Sequence, residues 1–206
     1  TDRMTSSRFP PVFATNRSDT GATVAAELVR LLRGARELFA DPATVAIATA
    51  YLNPGGFLLL ADELDQAPRV RLLLGAEPDP AVGQRIVPPL TDEETSAALE
   101  VHGAWMARER DLTGFSREED TAARRLVEWL GRIDEAGESV VEVRRYGQGF
   151  LHGKAFIAEH PQMPAVLAGS SNLTYAGLMR NAELNLGYPT GEHTHLVQEW
   201  FEHFWG

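Results

Sequence analysis

Three short stretches carry residue types that can do chemistry together: Leu151-His152-Gly153-Lys154, Gly169-Ser170-Ser171-Asn172 and Asn181-Ala182-Glu183. Read as a strand, the first puts His152 and Lys154 two residues apart, with both side chains on one face. The second reads as a small-residue turn at the end of the next strand, able to aim backbone N–H groups at an anion. The third opens the strand after that. Lys154 supplies positive charge and Asn172 and Ser170 supply neutral donors, a set suited to holding phosphate-type oxygens with no metal. His152 adds a nucleophile or general acid, because imidazole changes charge near neutral pH. A carboxylate on its far nitrogen would fix the tautomer and stabilise the imidazolium, and Glu183 is the candidate. The set points to phosphoryl transfer by a histidine, with positioning and charge stabilisation carrying most of the rate.

The composition sharpens one of these residues. Of nineteen cationic side chains, Lys154 is the one lysine and the rest are arginine. That exception marks a place where a compact ammonium on a flexible stem fits and a planar guanidinium does not. Formal charge is −10, the opposite sign to that of most nucleic-acid binders. The excess is uneven: residues 92–138 hold 13 acids and 6 bases. Acidity therefore belongs mostly to one helical stretch, read as a solvated face.

The elements that must position the site read as alternating helices and strands. Thr20 caps a predicted helix through Phe39, with Val24, Leu28, Leu31, Leu32, Ala35 and Leu38 at helical spacing. Thr44–Leu52 and Val70–Leu74 read as strands buried on both faces. Between them Asn53-Pro-Gly-Gly is turn chemistry, followed by a short helix through Leu64. Residues 78–90 are loop, and helices are predicted over about 92–112 and 117–135. Ser139–Tyr146, Leu151–Ala158, Ala165–Gly169 and Ala182–Leu186 read as strands, with helices around Tyr175–Arg180 and Thr194–Phe204. The expected fold is α/β, a mixed and largely parallel sheet with helices on both faces. One domain over 1–206 is expected, with a helical acidic insertion at about 91–137.

At 151–187 the sequence resembles the phospholipase D superfamily, whose signature is H-x-K-x4-D followed by G-S-x-N, with a Glu about eleven residues further on in its nucleases. Here Glu159 stands where the signature has Asp, and Glu183 lies eleven past Asn172. The resemblance implies a phospholipase D-like fold over about 15–205. It implies His152 as nucleophile, Lys154 and Asn172 on the phosphate oxygens helped by Ser170, Glu183 orienting His152, and no metal or other cofactor. Enzymes of the superfamily with a single motif work as homodimers, so two copies of His152 are expected to share one site. Single-motif members are mostly nucleases. Phe13-Ala-Thr-Asn16, Ala50-Tyr-Leu-Asn-Pro-Gly-Gly-Phe57 and Gly169-Ser-Ser-Asn-Leu-Thr174 look like the domain at the N-terminus of some bacterial helicase-type, DNA-processing proteins. DNA is then the expected substrate, with a helicase region or partner to deliver it and the chain excised from a longer one. A lipid phosphodiesterase and a non-catalytic dimerisation or phosphate-binding module are the other two classes.

Other features have plainer readings. Cysteine is absent, which removes thiolate chemistry and fits a reducing cytoplasm. The longest apolar run, Val45–Leu52, is about half a bilayer crossing, and nothing near Thr1 reads as a secretory signal. No membrane role is expected. His193-Thr-His195 reads as a surface pair rather than a metal site, and Trp200, Phe201, Phe204 and Trp205 as core or dimer-contact residues. Tyr51 and Asn53, at the end of a buried strand, are candidates for lining the site.

Overall fold

Connection length decides how neighbouring strands run: a short link can only turn the chain back, whereas a parallel neighbour needs a crossover. The computed structural model describes residues 11–17, 22–39, 41–75, 117–149 and 151–206. Its elements in chain order are β1 (Phe13–Ala14), α1 (Val24–Phe39), β2 (Thr44–Thr49), α2 (Pro54–Leu58), α3 (Ala61–Leu64) and β3 (Val70–Gly75). Then come α4 (Arg117–Leu130), β4 (Val141–Tyr146), β5 (Lys154–Glu159), β6 (Ala165–Gly169), α5 (Tyr175–Met179), β7 (Asn185–Tyr188) and α6 (Glu192–Trp205). The strands form one sheet in the order β1-β7-β6-β5-β2-β3-β4.

The expectation of an α/β sheet holds, but a largely parallel one does not. Among the described strands, β2–β3 and β3–β4 are parallel, and β1–β7, β2–β5, β5–β6 and β6–β7 are antiparallel. The crossover between β2 and β3 runs through α2 and α3, whereas β5 and β6 are joined only by His160–Pro164. The helix expected at 92–112 and the cap Thr20 lie outside the described residues. At the start of α1 the observed caps are Thr23, whose Oγ1 accepts from the Ala26 N–H at 3.1 Å, and Asn16, whose Oδ1 accepts from the Val24 N–H at 2.8 Å.

Both faces of the sheet are covered, each by side chains of alternating parity. One face buries Ile47, Leu72, Phe156 and Leu167 under Leu28 and Leu31 of α1, Phe57 of α2 and Trp129 of α4. Phe57 and Trp129 pack ring to ring at 4.9 Å. The other face presents Ala46, Ala48 and Ala155, small enough to admit Phe201 and Trp205 of α6, with Leu73, Ile157 and Val166 completing the layer. Each large side chain so buried contributes about 1.5–3 kcal/mol.

Glu159, where the superfamily signature has Asp, sits at the far end of β5, about 17 Å from Lys154 at the strand rise of roughly 3.3 Å per residue. Its carboxylate pairs with Arg71 at 2.8 Å, and Arg71 pairs also with Glu202 at 2.7 Å. The Arg71 guanidinium lies over the rings of Phe201 and Trp205, at 5.0 and 5.6 Å from their centroids. Arg71, held on the sheet by Glu159, therefore ties the sheet to α6. Replacing Arg71 by Met removes two charge-assisted bonds and is expected to lower stability to urea by about 1–3 kcal/mol. Unchanged stability would show that α6 is held by its aromatic residues alone.

Candidate active site

The antiparallel register brings four strand ends to one edge of the sheet: the C-terminal ends of β2 and β6 and the N-terminal ends of β5 and β7. Lys154, first residue of β5, is directly opposite Gly169, last residue of β6. β5 begins at Lys154 and not at Leu151, so His152 precedes the strand instead of standing on it. The result is an exposed imidazole beside a lysine only 5% exposed. Between them, Gly153 has no room for a side chain: a Cβ there would lie 2.5 Å from Cζ2 of Trp200. Trp200 of α6 thus seats the backbone that carries both residues.

Asn172 is fixed from the other side. Its Oδ1 accepts from the Tyr51 N–H at 3.2 Å, which assigns the oxygen end of the amide and turns the NH2, the donor an anion needs, the other way. Thr49, the last residue of β2 and fully buried, ties the same two segments together. Its hydroxyl donates to the Tyr51 carbonyl at 2.8 Å and accepts from the Leu173 N–H at 3.0 Å, with Asn172 Oδ1 at 3.4 Å. The clasp continues along the chain, with the Asn53 N–H donating to the Leu173 carbonyl at 3.1 Å.

Ser170 and Glu183 meet directly. The Ser170 hydroxyl donates to the Glu183 carboxylate and accepts from the Leu184 N–H at 3.1 Å. Gly169 permits this approach, because a Cβ there would fall 2.2 Å from the Leu184 carbonyl oxygen. β7 begins at Asn185, so Glu183 lies in the loop before the strand and does not open it. That loop is pinned from the N-terminal segment. Thr15 Oγ1 donates to the Glu183 carbonyl at 2.8 Å, and the Asn16 amide donates to the carbonyls of Gly177 and Asn181 at 2.9 and 3.1 Å. Below it, buried Asn185 donates to Ser171 Oγ at 2.8 Å.

The structure thus brings His152, Lys154, Ser170, Asn172 and Glu183 to one edge, on elements that adjoin. Tyr51 contributes its backbone N–H to Asn172. Asn53 serves the fold: its Oδ1 caps α2 through the Gly56 N–H at 2.7 Å and accepts from the Tyr175 N–H at 3.1 Å. Sequence reasoning misses Thr49, Asn16, Thr15 and Asn185. The signal that could find Thr49 is a lone polar residue inside the buried run Val45–Leu52, since buried hydroxyls find partners. His193 stacks on Tyr188, and His195 pairs with Glu199 at 3.1 Å. Among the described residues no group of three or more His, Asp or Glu side chains is placed to hold a metal. Nor is any helix among them long and apolar enough to cross a membrane.

The family model described as cardiolipin synthase, PLD-like domain, matches residues 43–205. The chain belongs to this PLD-like family. Two solved structures are similar to this chain at low identity. NucT from Helicobacter pylori is 9% identical, with a TM-score of 0.49 over 93% of this chain and 92% of that one. Polyphosphate kinase from Porphyromonas gingivalis is also 9% identical, with a TM-score of 0.49 over 95% of this chain but 22% of the kinase. No curated protein matches the sequence. The PLD superfamily comprises phosphodiester- and phosphoryl-transfer enzymes, a chemistry for which the edge described above carries the residue types.

Partial desolvation by its neighbours lowers the His152 pKa below the ordinary imidazole range, and the Lys154 ammonium lowers it further. The neutral, nucleophilic form therefore persists to lower pH than in a free histidine. The unfolded chain takes up this proton at higher pH than the folded one. His152 consequently costs the fold stability as pH falls from the ordinary imidazole value through its own lowered midpoint. An NMR titration of the His152 ring is expected to show that lowered midpoint, with Lys154→Met moving it part of the way back up. A midpoint at or above the ordinary value in the unaltered protein would contradict the placement of the two groups.

Proposed function

We propose that this PLD-like chain is a phosphodiesterase that cuts DNA through a phosphohistidine, at a site shared by two copies. The observation that carries the reading is the meeting of His152, Lys154 and Asn172 at one strand-end edge. There a partly desolvated imidazole stands next to a cation and an oriented amide. Lys154 and Asn172, helped by Ser170, hold the non-bridging oxygens and stabilise the charge that builds on them in the transition state. His152 attacks phosphorus as the bond to the leaving oxygen breaks, and that oxygen takes a proton from the second copy's histidine. A water then gives its proton to that second histidine as its oxygen attacks phosphorus, and the phosphorus–nitrogen bond breaks. Glu183, held by Ser170, orients His152. An isologous contact is the natural way to bring two copies of one ring together. A helicase-type region or partner that presents the DNA belongs to the same proposal.

Unspent positive charge supports a polyanionic substrate. Among the described residues Arg145 and Arg180 are exposed and have no carboxylate partner, whereas Arg33, Arg36, Arg69, Arg71, Arg125 and Arg132 all have one. Arg145 lies at the C-terminal end of β4, on the same sheet edge as Lys154 and three strands away, about 14 Å at ~4.8 Å per strand. One observation favours a lipid phosphodiester as second reading. Phe13, Leu184 and Leu186 are 47%, 58% and 42% exposed beside Glu183, an apolar rim of the kind an acyl chain would use.

Incubating the protein with single- and double-stranded DNA in EDTA tests the reading. Cutting is expected to persist in the chelator and to fall by about three orders of magnitude or more in His152→Ala, with a phosphorylated histidine trapped at position 152 on acid-free quenching. Release of a headgroup from phospholipid vesicles without any DNA cutting would establish the second reading. A dimer that cleaves neither and traps no phosphohistidine would overturn both.

A further inference from the structure

We infer that Tyr175 and Arg180 form a base-stacking subsite one nucleotide along from the phosphate held by Lys154 and Asn172; this rests on the DNA reading above. The Arg180 guanidinium lies over the Tyr175 ring, 4.8 Å from its centroid. The ring is half-buried and the arginine exposed, and no described carboxylate pairs with it. In a chain of formal charge −10, an exposed arginine held against an aromatic ring instead of a carboxylate is unspent binding capacity. It is a flat cation stacked on a flat π-system, the combination on which nucleobases stack without regard to sequence.

The position relative to the phosphate follows from the backbone. Leu173 pairs in parallel with Leu52, and Thr174 is extended, with φ −125° and ψ 155°. From Asn172 to Tyr175 is therefore three extended residues, about 10 Å at ~3.3 Å each. The bond from the Tyr175 N–H to Asn53 Oδ1 at 3.1 Å fixes where the ring begins. The hydrogen bond that closes α5 comes from the Arg180 backbone, whose N–H donates to the Ala176 carbonyl at 2.9 Å, and leaves the guanidinium to the ring. The side chain turns back toward the start of the helix, where the Tyr175 ring stands.

The test compares two labelled single-stranded oligonucleotides of equal length, one bearing bases and one abasic. Binding is measured by fluorescence anisotropy to the His152→Ala protein, and cleavage with His152 intact. With the site otherwise unaltered, the base-bearing strand is expected to bind more tightly than the abasic one. Tyr175→Ala is expected to weaken the base-bearing strand about tenfold, within the range seen when stacking aromatic residues are truncated, and the abasic strand less than about twofold. Tyr175→Phe is expected to retain the preference, and Arg180→Ala to reduce it in the same direction. Equal losses on both strands would overturn the inference, because Tyr175 would then act only through the fold of α5 and Asn53. So would the absence of any preference for bases in the parent protein. A base preference that depends on Tyr175 in a protein that never cuts DNA would uphold the subsite and sink the nuclease reading.

Discussion

One buried hydroxyl holds the candidate site together. Thr49 ends β2 at the point where the chain must leave the sheet, and its Oγ1 is shared between the Tyr51 carbonyl and the Leu173 N–H. A buried carbonyl or N–H left unsatisfied costs about 1–3 kcal/mol. The hydroxyl satisfies them together, and in doing so lays the segment after β2 beside the segment after β6. Asn172 lies in the second segment and reads the first through the Tyr51 N–H. The direction of its amide is therefore a consequence of strand-end geometry and not of contacts to a ligand, as preorganisation for an anion requires.

The rest of the molecule braces this junction from three sides. α6 supplies Trp200 against Gly153, so the helix that covers one face of the sheet also seats the backbone of His152 and Lys154. At the opposite end of β5 the same helix is tied down by Arg71, through Glu159 and Glu202. Glu159 thus matters to the site as an anchor about 17 Å away. The N-terminal segment holds the loop of Glu183 through Thr15 and Asn16, and Asn16 also caps α1. Charge follows the same division. Most of the described arginines are paired with carboxylates, and Arg145, which has no such partner, lies at the candidate edge.

How much of this is legible in the sequence depends on whether the signal is local. Ala165–Gly169 is a strand with the expected bounds because Ala, Val and Leu are followed at once by a glycine turn. The candidate site residues are legible as three spaced motifs, and the structure brings these to one sheet edge. Strand direction is not legible from alternation of elements alone; the length of each connection decides it, and two of the six pairings are parallel. His152 reads as a strand residue because the pattern Leu-His-Gly-Lys does not show that Trp200, 48 residues on, occupies the space beside Gly153. Ser170 also donates to the Glu183 carboxylate, a pairing between residues thirteen apart that spacing cannot reveal. Asn53 also caps α2, a role its place after a buried strand does not announce. Thr49 draws no notice among its apolar neighbours, although a polar residue in a buried strand asks for its partners.

Titrating inorganic phosphate into the protein, with the amides of Tyr51 and Leu173 and the Asn172 side chain followed by NMR, tests this clasp most directly. Phosphate is expected to shift the Asn172 NH2, and Thr49→Ser to bind it as the parent does. A folded Thr49→Val protein is expected to bind it about tenfold more weakly, the equivalent of ~1.4 kcal/mol. Phosphate binding that is indifferent to Thr49→Val, or that shifts resonances elsewhere and leaves Asn172 untouched, would contradict the clasp as the source of the site's geometry.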